Sequence, residues 1–366
     1  MLGNACQWPL EGDPGAARRP LQTLKTLDGL PTGVARSHPT RRPTDAAFLD
    51  DESFDPPTEL LNLPWIDPHN HAHTLSWDDR ERYALSGCAA MVLIASGNHW
   101  TPYRPVRADD LRFLWDDAIN RRRAIERDHF FETKLAIGAQ TGIRVEDPDG
   151  LCDAMDGYCE LDEVVAVGEI GVRRSQHVSA WSLDEQLSAI ESQMAVAARH
   201  DLPVILHTPT RLAVDEDYRP ELGVPGYERV TSLAAEPVYD ADNPELAAVR
   251  YDVQAAERAG LPESRVVASH ADPNNLPYLM EETDCYASFT VGAPRLTGVG
   301  AGTVAEAIDE YGPDRIMVDT DCANVLRSDP LALKRAILEL YRRGVDADAI
   351  ERVVYRNPRD VFGLDG

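Results

Sequence analysis

Lysine is nearly missing from this chain. Lys25, Lys134 and Lys334 are the only lysines, and every other basic side chain is arginine. Positive charge is scarce too: 36 basic residues face 62 acidic ones, a formal net charge of −26. Such a chain carries no basic stripe for a nucleic-acid backbone to follow and no recognised nucleic-acid-binding motif. Acidity with so little lysine suits a protein kept soluble in molar salt, as in a halophilic archaeon, where hydration explains the charge. A GC-rich genome that prefers arginine is the alternative. At 1 M salt the Debye length is about 3 Å, so the net charge does not report the charge of a substrate.

Cysteine is equally uninformative as a scaffold. Cys6, Cys88, Cys152, Cys159, Cys285 and Cys322 are scattered and form no CxxC pair. That excludes a zinc ribbon, a thioredoxin-type site and a disulfide framework. The apolar run Ala89 to Ala95 is far too short to span a bilayer. The first residues contain no apolar core of a secretory signal. The expectation is a cytoplasmic protein in a reducing compartment with no membrane contact. Hydrophobic residues make up 43% of 366, enough for one large domain plus a tail.

Residues 1–60 are the tail. Pro, Gly, Thr and Arg dominate, and up to Thr44 six basic residues outnumber three acidic ones. No period of 2 or 3.6 persists, so a disordered N-terminal extension is expected, with the barrel occupying 61–366. From Pro64 short apolar segments alternate with helical patterns. Strands are predicted at Trp65–Pro68, Ala89–Ala95, Lys134–Ala139, Val164–Glu169, Val204–His207, Val266–His270, Tyr286–Thr290 and Ile316–Asp319. Helices are predicted at Ser76–Ser86, Ala108–Asp128, Leu183–His200, Glu245–Ala259, Val304–Tyr311 and Asp329–Arg343. Apolar strands alternating with amphipathic helices indicate a parallel sheet buried on both faces. Eight such units predict an α/β fold of the (β/α)8 TIM-barrel class. A doubly wound open sheet is the alternative, weakened because no glycine-rich fingerprint follows the first strand. Long connections at Ser96–Ala108 and Thr208–Asn243 follow strands and would shape a substrate pocket.

Chemistry gathers at the strand ends. Asp67-Pro68-His69-Asn70-His71 closes the first predicted strand and runs past its end. Histidines two apart on a strand face one side and can chelate one metal ion. His73 extends the series and leaves a second register open. Gly168-Glu169-Ile170-Gly171 puts a carboxylate after Val164–Val167, where burial is costly unless the group is paired or bound to metal. His207 and His270 each close an apolar strand, and Asp319-Thr320-Asp321 closes the last. A lone histidine of this kind is more often structural, and one acid can be a helix cap. Four histidines and two carboxylates converging on one barrel end have a more economical explanation, a one- or two-metal hydrolytic centre. No lysine ends a predicted strand, so a lysine-bridged centre is not expected.

These motifs, in this order, resemble the TatD-like metal-dependent hydrolases of the amidohydrolase-type barrels. The resemblance covers roughly Pro64 to Leu364. It includes Gln186 and Gln193 on the helix that leads into Leu202–His207, Ser269-His270, and the close Asn357-Pro358-Arg359-Asp360-Val361-Phe362-Gly363-Leu364. It implies one divalent metal ion on His69, His71, Glu169 and Asp321, and a second on Glu169, His207 and His270, with Glu169 bridging. Zn, Mn or, more weakly, Mg suits such ligands. Asp321 would also be a general base, with Asp319 and Asp67 in supporting positions. Departures are Val172-Arg173-Arg174 where the family commonly has an acid, Asp319 where it has Glu, and Cys322-Ala323-Asn324 where a proline is common.

The expected activity is cleavage of a phosphoester or amide-like bond in a small-molecule or nucleic-acid substrate. A deoxyribonuclease acting on DNA ends would use loop arginines such as Arg104, Arg107, Arg173 and Arg174. A small-molecule enzyme would enclose its substrate with the Thr208–Asn243 segment and its Tyr218, Tyr227 and Tyr239. A non-hydrolytic metal-binding barrel in a biosynthetic pathway is the reading from another class.

Overall fold

The computed structural model describes residues 56–97, 105–142, 144–173, 181–209, 239, 241–292, 298–323 and 329–365. Among these, eight strands lie parallel in chain order: β1 (Trp65–Asn70), β2 (Cys88–Gly97), β3 (Glu132–Ala139), β4 (Val164–Ile170), β5 (Val204–His207), β6 (Val266–Ser269), β7 (Tyr286–Thr290) and β8 (Ile316–Asp319). The sheet closes where β1 and β8 meet beyond their C-terminal ends. There Asp321 N donates to His69 O at 3.0 Å, and His71 N donates to Cys322 O at 3.0 Å. The architecture is the expected TIM barrel.

Alternation along the strands divides the core in two. Ala90, Val92 and Ile94 of β2 pack inside the barrel with Ile66, Ala136, Ala166, Ile205, Val267 and Met317. Met91, Leu93 and Ala95 face the other way, into the layer shared with the helices. Successive side chains of a strand point to opposite faces, so both faces of a barrel strand must be apolar. The interior is stoppered near the strand starts by Val361, Phe362 and Leu364. Asn357 fastens that plug, its Nδ2 donating to Pro313 O at 2.8 Å and Ile316 O at 2.7 Å, where β8 begins. The chain's last motif is thereby a floor, which leaves the other mouth for chemistry.

Helices fall close to the predicted places. Ser182 caps Leu183–Arg199 in a reciprocal box with Glu185, and Ser76 caps Trp77–Leu85. The helix Pro148–Cys159 between β3 and β4 was not predicted. Its two glycines, Gly150 and Gly157, and its polar run blur the apolar period. Asp147, which accepts from Gly150 N at 3.0 Å, and Pro148 in the first turn were the legible start signal. Between β6 and β7 only the short turn Tyr278–Glu282 stands where a full helix would be usual.

The boundary of the N-terminal extension needs correction. The expected extension ran to residue 60, yet Thr58–Leu61 forms a helical turn and Leu60 is buried in the main core. Lys334 Nζ also donates to Leu61 O at 2.6 Å. A four-residue turn has no period long enough to read in sequence. Residues 1–55 lie outside the described residues. A chain beginning at Pro64 should therefore melt lower than one beginning at Pro56. Losing one buried leucine costs about 1.5–3 kcal/mol, so equal melting temperatures for the two would refute this placement of Leu60.

Candidate metal centre

Register shifts aim the first site residues. The β1–β2 pairing slips between Asp67 and Asn70, and the β4–β5 pairing slips between Gly168 and Ile170. Irregularities of this kind turn a side chain out of the regular alternation. His69 and Glu169 sit within them. Gly168 and Gly171 make the second slip possible, since a Cβ at either would come within 2.7 Å of a β5 carbonyl, that of Ile205 or His207. His270 and Asp321 adopt positive φ of 61° and 44°, an uncommon backbone for side-chain-bearing residues. Such conformations recur at functional sites because they re-aim a side chain at the end of an element.

The predicted residues come together. Glu169 Oε2 lies 2.8 Å from His69 Nε2, and Glu169 Oε1 lies 3.0 Å from His207 Nδ1. Asp321 Oδ1 is 3.3 Å from His71 Nε2 and 3.7 Å from His69 Nε2. Two overlapping groups have the spacing to hold a metal ion, His69–His71–Glu169 and Glu169–His207–His270. His73 belongs to neither group. It sits in the turn Ala72–Thr74, where burial and the neighbouring His71 and Arg121 push its pKa down to about 3.

Hydroxyl groups fix the rings. Ser269 Oγ lies 2.9 Å from His69 Nδ1, and Thr290 Oγ1 lies 2.7 Å from His270 Nδ1. With Nδ1 engaged, Nε2 is the nitrogen each ring turns to the centre. Thr290 Oγ1 in turn donates to Asp319 Oδ1 at 2.7 Å, and Ser288 Oγ donates to Asp319 Oδ2 at 2.5 Å. Asp319 thus reaches His270 through Thr290. Sequence reasoning missed Ser288 and Thr290. Their spacing of two on a strand, facing the acid that ends the next strand, was the available signal.

Asp67 lies in the seam between β1 and β8. It accepts from Thr320 N at 3.1 Å, Thr320 Oγ1 at 2.5 Å, Asn70 Nδ2 at 2.8 Å and, weakly, His69 N at 3.4 Å. Its support reaches His69 through the backbone. Burial, aided by Asp319, raises its pKa to about 7 against the pull of these hydrogen bonds.

Charge and burial suit a cation. Burial disfavours a charged Glu169, yet His207 and His69 more than offset it and hold the carboxyl well below the usual range. Burial also lowers His69, but Glu169, Asp321 and Asp319 lift it to about 9. The proton so retained stands where a metal ion would replace it, since a ligating imidazole must be neutral. His207 and His270 are shifted down, chiefly by burial, and so remain neutral donors. His69 Nε2 and His207 Nδ1 are buried without a satisfactory hydrogen bond despite the nearby Glu169 oxygens. Buried nitrogens left in that condition are costly, and a divalent cation among them removes the cost.

The loop features divide. Arg107 is exposed and pairs with Glu146 at 3.4 Å. Arg173 is mostly buried, with Nη2 4.0 Å from Glu169 Oε1. Tyr239 packs against Tyr251 and donates to Pro244 O at 3.0 Å. Arg104, Arg174, Tyr218 and Tyr227 lie outside the described residues. Among the described residues no helix is long and apolar enough to cross a membrane.

Comparisons with known proteins agree with this geometry. The TatD-related DNase family matches residues 133–363. An uncharacterized metal-dependent hydrolase of Methanocaldococcus jannaschii is 22% identical over 300 residues, spanning 82% of this chain and all of that protein. The TatD-like protein of Archaeoglobus fulgidus superposes with a TM-score of 0.54 at 20% identity, over 82% of this chain and all of that one. A β-aspartyl dipeptidase from Fervidobacterium islandicum gives a TM-score of 0.56 at 15% identity, over 82% of this chain and 73% of that one. These two likenesses speak to the barrel fold. With the family match covering more than half its length, the chain belongs to the TatD-related DNases and is a metal-dependent hydrolase.

Proposed function

We propose that the chain hydrolyses phosphoester bonds at a binuclear centre. His69, His71, Glu169 and Asp321 hold one divalent cation, Glu169, His207 and His270 hold the other, and Glu169 is shared. The observation that carries this reading is the pair of ligand groups that meet at the two oxygens of Glu169. Four imidazoles with two carboxylates favour Zn²⁺ or Mn²⁺ over Mg²⁺, which prefers oxygen and water. A cation held there supplies Lewis acidity and lowers the pKa of the attacking water. The chain's own residues do the rest. Glu169 offsets the repulsion of two cations. Asp321, at the mouth beside His69 and His71, takes the proton of the attacking water as general base. Ser269 and the Thr290–Asp319 pair hold His69 and His270 in one tautomer and orientation.

A phosphoester is favoured over an amide-like bond by the nuclease family. A DNA end and a small phosphate ester share the reacting group, and steady-state assays on both distinguish them. Turnover of an amide panel with none of phosphoesters would refute the reading.

Glu169→Gln keeps the shape and removes the shared charge, so metal bound per chain should fall with little change in melting. Full occupancy in that variant, measured by elemental analysis, would contradict the bridge. Asp321→Asn should be nearly inactive, because general-base loss alone costs about 10²–10⁴ in rate. Asp319→Asn and Thr290→Val act through the same imidazole. Both should retain measurable turnover, each losing about 10–100-fold. Measuring kcat at saturating metal decides the order. A deader Asp319→Asn enzyme would move the ligand from Asp321 to Asp319.

A further inference from the structure

Asp321 sits in a backbone conformation that side-chain-bearing residues avoid, with φ of 44°. Such conformations persist only where the surroundings enforce them. Two of the restraints come from β1. Asp321 N donates to His69 O, and Cys322 O accepts from His71 N, each at 3.0 Å. A third restraint spans Asp321 itself. Thr320 Oγ1 accepts from Cys322 N at 3.3 Å, closing the turn that a serine or threonine hydroxyl makes with the backbone two residues on. Asp321 is the residue this turn encloses.

The Thr320 hydroxyl is itself aimed from outside the strand. It has one proton to give, and that proton goes to Asp67 Oδ2 at 2.5 Å. The 3.0 Å bond between Tyr83 Oη and Thr320 Oγ1 therefore runs with Tyr83 as donor. Tyr83 Oη accepts in turn from Asn70 Nδ2 at 2.9 Å. It also lies against the Cys322 thiol, so one phenol touches both residues that flank Asp321. Tyr83 is fully buried on the helix Trp77–Leu85, its ring tilted against Trp65 with centroids 5.7 Å apart. Its ring thus serves the core while its hydroxyl serves the strand end.

We infer that Tyr83 is a positioning residue for Asp321 and acts through the Thr320 hydroxyl. Without the phenol, Thr320 Oγ1 keeps its bond to Asp67 but loses the donor that fixes where its lone pairs point. The turn around Asp321 loosens, and the carboxylate spends less time beside His69 and His71. The inference rests on Asp321 being a metal ligand, as proposed above, and the test separates the two.

The full chain, stripped with a chelator, is equilibrated with graded free Mn²⁺, and bound metal is counted by elemental analysis. Amide hydrogen exchange of residues 319–322 is followed in the metal-free state. Tyr83→Phe should weaken Mn²⁺ binding at the Asp321 position about 10–100-fold. It should also speed exchange of the Asp321 and Cys322 amides while leaving β3 and β4 as they were. Thr320→Val should do the same, whereas Thr320→Ser, which keeps the hydroxyl, should match the unaltered chain. Because Tyr83 and Thr320 act through one bond, the double variant Tyr83→Phe with Thr320→Val should bind no more weakly than Thr320→Val alone. Unchanged affinity and exchange in Tyr83→Phe would overturn the inference, and so would losses that add in the double variant. An Asp321→Ala chain that binds Mn²⁺ as tightly as the unaltered one would instead overturn the ligand assignment beneath it.

Discussion

The seam between β1 and β8 is the constraint from which the rest follows. Six of the eight strands reach the site only because the sheet curves round until its first and last members meet. At that junction the Asp67 carboxylate binds Thr320 through both backbone and hydroxyl, and Asn70 bridges Asp67, Tyr83 and Thr320. The bonds Asp321 N to His69 O and His71 N to Cys322 O complete it. Three candidate ligands, His69, His71 and Asp321, therefore lie in the very backbone that shuts the barrel. Closing the fold and assembling half of the centre are one event, not two.

Much of this was legible because it is periodic. Short apolar runs such as Val204–Leu206, bounded by turn signals and alternating with helical patterns, read as strands buried on both faces, and β5, β7 and β8 match the predicted ends residue for residue. The candidate ligands stand out for a related reason: a histidine or carboxylate that closes an apolar strand conflicts with its surroundings. Ser269 and Thr290 carry no such conflict. A hydroxyl is at ease in a buried strand, and its partner lies on another strand, 20 residues away for Thr290 and His270 and 200 for Ser269 and His69. Helix Pro148–Cys159 escaped because its start is local chemistry, a cap and a proline, while its apolar face is thin. Leu60 escaped because its burial depends on partners that a short turn cannot reveal.

The buried charges explain why so many acids coexist in so small a space. Burial pushes Asp67 to about 7 and Asp319 to about 6, both above the usual carboxylate range. Glu169 is instead held well below the usual carboxylate range, by the imidazoles at its two oxygens. Negative charge is concentrated where cations would use it and is muted where hydroxyl groups serve as partners. The same economy sets Arg173 beside Glu169 but Asp252, its carboxyl raised by burial, beside Val172.

The dipeptide Ser269-His270 has a consequence for how this barrel can change. Ser269 steadies a ring on β1, while His270 belongs to the opposite ligand group. A slip of β6 by one residue would turn both side chains away together. Loops can lengthen or shorten beyond Ala271, whose N still donates to Ser288 O at 2.9 Å, without touching that pair. An insertion or deletion inside Val266–Ser269 has no such freedom. Variation in this lineage should therefore pool in the loops at the barrel mouth, and β6 should drift more slowly than the helices that cover it.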